Sequence, residues 1–240
     1  MKEGKNPLHF SSTRIRWRQS ALVCPASVRE KARILAFHGG GGVDGRPEML
    51  IPFCKELAKD HPELTIVAAE YRTLNRNKAT VTQMLADAAH ALNWSRRKAP
   101  AESRLFVMGA SFGGLLALDA VFAAPDRVSG LILLNPVTDT AKGGFSNRVV
   151  PPEGLPEISP MQRWKGWHRM NSLRCLTVHG SDDNVVPIAT SKEFCALWPQ
   201  GRCSFVGYPN VGHGFFNLPA HSPSVSEQIH EFMASEGESG

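Results

Sequence analysis

The segment Gly109-Ala110-Ser111-Phe112-Gly113-Gly114 is where the chain most plainly offers chemistry. The apolar run Leu105 to Met108 precedes it, and an alanine-rich apolar stretch to Ala123 follows. A serine between a buried strand and a helix stands at the apex of a sharp turn, and small flanking residues let the two elements approach closely. Such a turn lifts the Ser111 hydroxyl out at the carboxyl edge of a sheet. It also aims N–H groups at the helix start toward a reacting oxygen. A hydroxyl so placed is a candidate nucleophile. The bland alternative, a glycine-rich strand–helix turn without chemistry, is weaker because both flanking elements stand where a nucleophile needs them.

A nucleophilic serine needs a base, an acid to hold the base, and donors for the oxyanion that forms. His38-Gly39-Gly40-Gly41-Gly42 follows the apolar run Arg33 to Phe37. Four glycines remove side-chain bulk, so the Gly40 and Gly41 N–H groups can approach a carbonyl oxygen together with the N–H of Phe112. A phosphate loop would need Lys-Ser/Thr after the glycines, and Val43-Asp44 stands there instead. His213, between Gly212 and Gly214 after a short strand, is the candidate base, because its ring can swing toward the serine with little steric cost. The acid falls in Ser181-Asp182-Asp183-Asn184, also after a strand, and spacing alone leaves Asp182 and Asp183 both open.

The elements that must position these groups alternate. Apolar runs at Arg33–Phe37, Leu64–Ala69, Leu105–Met108, Leu131–Leu134 and Cys175–Val178 read as buried strands, with a weaker one at Ser204–Val206. Arg14 to Arg18 alternates like a half-exposed strand. Helical spacing runs through Glu48–Asp60, Ala79–Lys98, the stretch ending at Ala123, Ser191–Leu197 and Ser224–Met233. Strands alternating with helices call for an α/β fold whose mostly parallel sheet is covered on both faces. Residues 138–171, rich in Pro and Gly, interrupt the pattern as a lid-like insertion, and a loop that long is usually functional.

With 240 residues, 42% hydrophobic and 20% charged, the chain reads as one large α/β domain over 1–240. The net charge of +5 comes from scattered basic residues, so no nucleic-acid partner is expected. Eighteen consecutive apolar residues occur nowhere, so no membrane partner is expected either. Five cysteines without CxxC spacing read as small core hydrophobes in a reducing, cytoplasmic setting, although a secreted chain shorn of its leader would read the same. There is no HExxH and no cluster of ligand residues, so neither a metal nor a cofactor is expected.

Taken together these motifs resemble those of α/β-hydrolase-fold esterases, in particular the bacterial acetyl esterase and lipase-like branch related to hormone-sensitive-lipase-type enzymes. The residues carrying the resemblance run in order from about Arg33 to Asn217. They are His38-Gly39-Gly40-Gly41, Glu70-Tyr71-Arg72, Asp87, Gly109 to Gly114, Asn135-Pro136-Val137, Ser159-Pro160, His179 to Pro187, and Gly212 to Asn217. The resemblance implies the α/β-hydrolase fold and a serine carboxylic ester hydrolase acting through an acyl-enzyme. It implies catalytic Ser111, Asp183 (by the pattern HGxxDxxVP) and His213, and an oxyanion hole of Gly40, Gly41 and Phe112. Phe112 departs from the family's usual alanine, and its ring is expected to narrow the acyl side of the pocket. Only about thirty residues precede the first buried strand, so the family's cap helices are not expected there, which leaves residues 138–171 as a substitute lid and favours small acyl groups such as acetyl. Trp164 and Trp167 could stack on an acetylated sugar, a reading that packing of the insertion matches in weight. Two other readings stay in play: a peptidase or amidase using the same residues, and a non-catalytic ligand-binding relative.

Overall fold

The apolar runs form the middle of one eight-stranded sheet, seen in a computed structural model that describes residues 8–16, 19–141, 145, 155–163 and 173–235. Its strands are β1 (Ser11–Arg16), β2 (Gln19–Cys24), β3 (Ala32–Phe37), β4 (Leu64–Ala69), β5 (Arg104–Ala110), β6 (Gly130–Leu134), β7 (Cys175–Gly180) and β8 (Cys203–Tyr208). They lie in the order β1-β2-β4-β3-β5-β6-β7-β8. From β4 to β8 every neighbour is parallel, whereas β1 and β2 add an antiparallel hairpin on the β4 edge. Sequence periodicity reads only one strand in this hairpin and sets it at Arg14–Arg18. The second, β2, carries Gln19 and Ser20 at its start, so its apolar signal is too short to stand out.

Helices cover both faces. They are α1 (Ile51–Ala58), α2 (Leu74–Asn77), α3 (Val81–Lys98), α4 (Phe112–Ala123), α5 (Leu155–Ile158), α6 (Pro160–Arg163), α7 (Ile188–Ala196) and α8 (Ser222–Ala234). The helix expected over Glu48–Asp60 divides in two, with a 3₁₀ turn at Pro47–Leu50 before α1. On β3 the alternation is plain. Leu35 and Phe37 join one core with Met84 and Leu92 of α3 and Leu116 of α4, while Ile34 and Ala36 join another with Phe53 and Leu57 of α1 and Ile229 of α8. Residues 34–37 of β3, buried on both faces, form an unbroken apolar run, while Arg33 near the strand's start is buried against the Glu30 carboxylate.

α3 begins at a capping box in which Thr80 and Gln83 satisfy each other's backbone N–H, and it ends in Arg96, Arg97 and Lys98, where the helix dipole favours cations. Its one buried carboxylate, Asp87, takes two hydrogen bonds of 2.8 Å from the Arg72 guanidinium and another from Arg16. Burial alone would raise the Asp87 pKa, but these hydrogen bonds outweigh it and hold the group below its usual value. The segment Glu70-Tyr71-Arg72 is thereby tied to α3.

The described part of the insertion is anchored to the body. Thr138 Oγ1 donates to the Thr190 carbonyl (3.0 Å) and Arg163 pairs with Asp119 of α4, while within the insertion Met161 N–H donates to the Thr138 carbonyl (2.9 Å) and Thr140 N–H to Ser159 Oγ (3.3 Å). One cysteine expectation is corrected. Cys195 at the end of α7 is bonded to Cys203 at the start of β8, while Cys24, Cys54 and Cys175 are free and buried as expected. The two partners stand eight residues apart, but the α7–β8 turn brings their Cα atoms to 5.5 Å, which spacing in sequence does not disclose. That bond withdraws the support that an unpaired set lent to a reducing compartment. Among the described residues no helix is long and apolar enough to cross a membrane.

Candidate active site

Parallel strands in register end together, so the loops after β3, β5, β6, β7 and β8 meet at one carboxyl edge. Phe37 pairs with Gly109, Gly109 with Leu133, Leu134 with Val178, and Gly180 with Tyr208. Crevices outside the carboxyl ends of such strands are where open α/β sheets bind ligands.

Ser111 sits between β5 and α4 with φ 55° and ψ −122°, a backbone conformation that costs a non-glycine residue about 1–3 kcal/mol. Three hydrogen bonds hold it there. Its N–H donates to the Leu134 carbonyl (2.9 Å), and its carbonyl accepts from Gly114 (2.9 Å) and Val137 (3.0 Å). The flanking glycines are demanded by space. A Cβ on Gly109 would lie 2.2 Å from the Gly113 carbonyl oxygen, and one on Gly113 would lie 2.2 Å from the Phe37 carbonyl oxygen. The turn thus brings the serine to the sheet edge, where 8% of the residue remains exposed.

His213 reaches the serine from the loop after β8. Its Nε2 lies 2.9 Å from Ser111 Oγ and its Nδ1 lies 2.7 Å from Asp183 Oδ2. A nitrogen facing a carboxylate carries the proton, so Nδ1–H donates to Asp183 and Nε2 is left to accept from the serine hydroxyl. Asp183 and Asp182, inseparable by spacing, are separated by geometry. The Asp182 side chain is exposed and accepts from Ser181 Oγ (2.7 Å), whereas the Asp183 carboxylate is fully enclosed.

Asp183 is held from every side. Oδ1 accepts from the N–H groups of Val185 (2.8 Å) and Val186 (2.9 Å), and Oδ2 accepts from Asn135 Nδ2 (3.2 Å) as well as from His213. His179 Nε2 lies 3.2 Å from Oδ2 and 3.1 Å from the Val186 carbonyl oxygen, so it too bears a proton, and its Nδ1 accepts from Ser191 Oγ at 2.8 Å. Burial pushes the Asp183 pKa up, but hydrogen bonds from His179, His213 and Val186 push harder and leave it well below the usual carboxylate range. Asn135 and His179 belong to motifs read from the sequence; His179 stands only four residues before Asp183, whereas Asn135 meets it because the ends of β6 and β7 lie side by side, which no local pattern reports.

The glycine loop stands beside Ser111: a Cβ on Gly39 would lie 3.1 Å from the Ser111 Cβ. Gly40 O accepts from the N–H groups of Val43 (3.0 Å) and Asp44 (3.1 Å), and α2 buttresses the loop through Leu74 N–H to Gly42 O (2.9 Å). Among the described residues the N–H groups of Gly40, Gly41 and Phe112 donate to no protein acceptor. Phe112 corrects one expectation. Its ring is fully buried and points beneath the glycine loop, where a Cβ on Gly42 would meet the ring at 2.9 Å and Met84 Sδ at 3.1 Å. As first residue of α4, Phe112 turns its side chain back into the core that α3 and α4 share, so it does not line the acyl side of a pocket. Trp164 and Trp167 lie outside the described residues. Among the described residues no group of three or more His, Cys, Asp or Glu side chains is placed to hold a metal ion.

A hydroxyl bonded to an imidazole whose second nitrogen faces a buried carboxylate can lose its proton as it attacks a carbonyl. Comparison with known proteins bears on the fold that carries these residues. The family model described as alpha/beta hydrolase fold matches residues 34–165. No curated protein matches the sequence. Among solved structures, the thermophilic esterase Est2 of the planctomycete Thermogutta terrifontis with propionate bound is 24% identical, covering 95% of this chain and 94% of its own, with a TM-score of 0.77. Its butyrate-bound form is also 24% identical over 95% and 94%, with a TM-score of 0.76. Thermogutta terrifontis esterase 2 phosphorylated by paraoxon is 23% identical, covering 97% and 96%, with a TM-score of 0.78.

Proposed function

The chain belongs to the α/β-hydrolase family, and on that premise we propose that it is a serine carboxylic ester hydrolase acting on short-acyl esters. The observation that carries the proposal is the continuous line Ser111 Oγ–His213–Asp183, with its distances of 2.9 and 2.7 Å. In the proposed reaction His213 Nε2 takes the Ser111 proton as Oγ attacks the ester carbonyl. The Asp183 carboxylate stabilises the imidazolium that results. The carbonyl π pair moves onto oxygen, and the N–H groups of Gly40, Gly41 and Phe112 receive the oxyanion. As the tetrahedral intermediate collapses, the C–O bond to the alcohol breaks and His213 returns its proton to the departing alkoxide. Water, giving a proton to the same ring, then attacks the acyl-enzyme; the tetrahedral intermediate breaks its bond to Oγ as His213 returns that proton to it, freeing the acid and restoring Ser111–OH. The first proton transfer joins groups already in contact, Ser111 Oγ and His213 Nε2, and the proposed steps call on no metal or cofactor.

The short-acyl preference has two supports. Residues 138–171 hold few of the aliphatic side chains that would wall a long acyl chain, and the similar esterase from Thermogutta terrifontis was solved with propionate and with butyrate. Burial of the Phe112 ring removes it from this argument. Each methylene that meets a fitting apolar wall adds about 0.8 kcal/mol of binding, so a lipase-like tunnel gives kcat/KM rising steadily with chain length. A series of p-nitrophenyl esters, run beside acetylated sugars, tests the proposal. The expected profile peaks at about two to four acyl carbons and has fallen steeply by about eight. A steady rise through decanoate would reject the short-acyl reading, and inertness toward every ester would reject the esterase reading altogether.

A further inference from the structure

Tyr71 lies outside the Ser111–His213–Asp183 line, yet its hydroxyl is buried against the backbone of the glycine loop. The oxygen stands 2.9 Å from the His38 carbonyl oxygen and 3.1 Å from the Gly39 carbonyl oxygen, sharing one hydrogen between them. His38 stacks on the Tyr71 ring (centroids 4.2 Å apart, planes at 15°), and its Nδ1 lies 2.7 Å from the same Gly39 oxygen. Facing a carbonyl, Nδ1 carries a proton, so Gly39 O accepts from two side chains at once. Burial lowers the His38 pKa to about 4 and pushes that of the Tyr71 phenol far up, so at neutral pH the ring is uncharged and the phenol keeps its donor.

A trans peptide unit is planar, with its C=O and N–H pointing in opposite directions. Drawing the Gly39 oxygen inward toward Tyr71 and His38 therefore turns the Gly40 N–H outward, away from the core. A Cβ on Gly39 would lie 3.1 Å from the Ser111 Cβ, so Ser111 flanks the loop from which the Gly40 N–H turns outward. Glycine supplies no side chain to set this orientation, and without a partner for Gly39 O the peptide plane could rotate at small cost. We infer that Tyr71 is the positioning residue of the oxyanion hole: its hydroxyl, with His38 Nδ1–H, aims the Gly40 N–H by holding the preceding carbonyl. The inference rests on the esterase reading above.

The variant that isolates it is Tyr71→Phe, which keeps the ring, the stack on His38 and the tilted contact with Phe112, and removes one oxygen. Loss of a whole oxyanion donor costs roughly a hundred- to a thousandfold in kcat, so loss of its aim should cost about ten- to a hundredfold, with KM within about threefold. Turnover is counted per active site titrated with paraoxon, so that a variant that merely folds poorly loses sites and not kcat. Affinity for a short-chain trifluoromethyl ketone, whose adduct with Ser111 bears the oxyanion, should fall by the same factor as kcat/KM. His38→Phe, which keeps the stack and removes the second donor, should shift kcat in the same sense and carries the test if Tyr71→Phe does not fold. Unchanged kcat per site in the folded variants, or undiminished affinity for the ketone, would overturn the inference. If wild-type protein lacks ester hydrolysis, or Ser111→Ala retains it, the esterase reading itself has failed.

Discussion

Ser111→Ala is expected to lower kcat/KM for a short ester by about 10⁵- to 10⁶-fold while the protein stays folded. The size follows from what the hydroxyl is proposed to do. Without Oγ no acyl-enzyme forms, and neither His213 nor the oxyanion donors have a covalent intermediate to serve. What survives is water attack assisted by the donors and by binding, worth roughly 10³–10⁴ over solution. The fold should tolerate the change because the strain at φ 55° is held by backbone hydrogen bonds to Leu134, Gly114 and Val137, which alanine makes equally well. The side chain contributes one hydrogen bond, to His213. Circular dichroism and thermal unfolding, run beside the kinetics, should show a native spectrum and a midpoint within a few degrees of wild type. A purified variant retaining a tenth of the activity would show that Ser111 is not the nucleophile.

Asp183→Asn should cost about 10⁴-fold in kcat, against a change within threefold for Asp182→Asn. At position 183 an amide preserves shape and inverts function. Its oxygen has to face the Val185 and Val186 N–H groups, which sets the NH₂ against His213 Nδ1, Asn135 Nδ2 and His179 Nε2. Three donors then meet a fourth. The relief open to His213 is to move its proton to Nε2, the tautomer that cannot accept from Ser111. Asp182 has an exposed side chain in contact with Ser181, so its charge is screened and its loss leaves the His213 ring untouched. A severe loss in Asp182→Asn with a mild one in Asp183→Asn would reverse the assignment. The linkage also has a sign. Because the Asp183 pKa lies below its unfolded value of about 3.9, its ionised form stabilises the fold above that pH, and the contribution fades as pH falls further. Wild type should therefore lose more stability between pH 5 and 3 than Asp183→Asn does.

Much of this arrangement is legible in the residues because local rules govern it. The Gly109–Gly114 turn and the glycine loop after β3 follow from strand ends and steric limits that short segments declare, while the acid-then-histidine order is what the hydrolase motif implies. The inner strands are equally plain, since burial on both faces makes them mostly apolar, with polar residues such as Thr65 and Thr177 too few to hide the runs. What stays hidden depends on distant partners or on direction. The hairpin strand β2 is carried by its pairing with β4, through register contacts such as Leu22 with Ala68, more than by its own periodicity. The bond between Cys195 and Cys203 needs the α7–β8 turn to close. Phe112 announces a large ring beside Ser111, but nothing in its neighbours says that the ring turns inward under Gly42. Asn135, His179 and Tyr71 are visible as residues, and only the assembled strand ends show that each holds another group in place.

Intact-protein mass spectrometry after brief exposure to paraoxon tests the central claim most directly, because it reports the nucleophile without relying on turnover. Attack of Ser111 Oγ on phosphorus, with nitrophenolate leaving and the serine proton taken by His213, should leave one diethylphosphoryl group per chain, mapped to the peptide bearing Ser111. Modification and loss of esterase activity should proceed at the same rate, and Ser111→Ala should take up no label. Labelling that persists in Ser111→Ala, or that maps to another residue while activity is lost, would contradict the account.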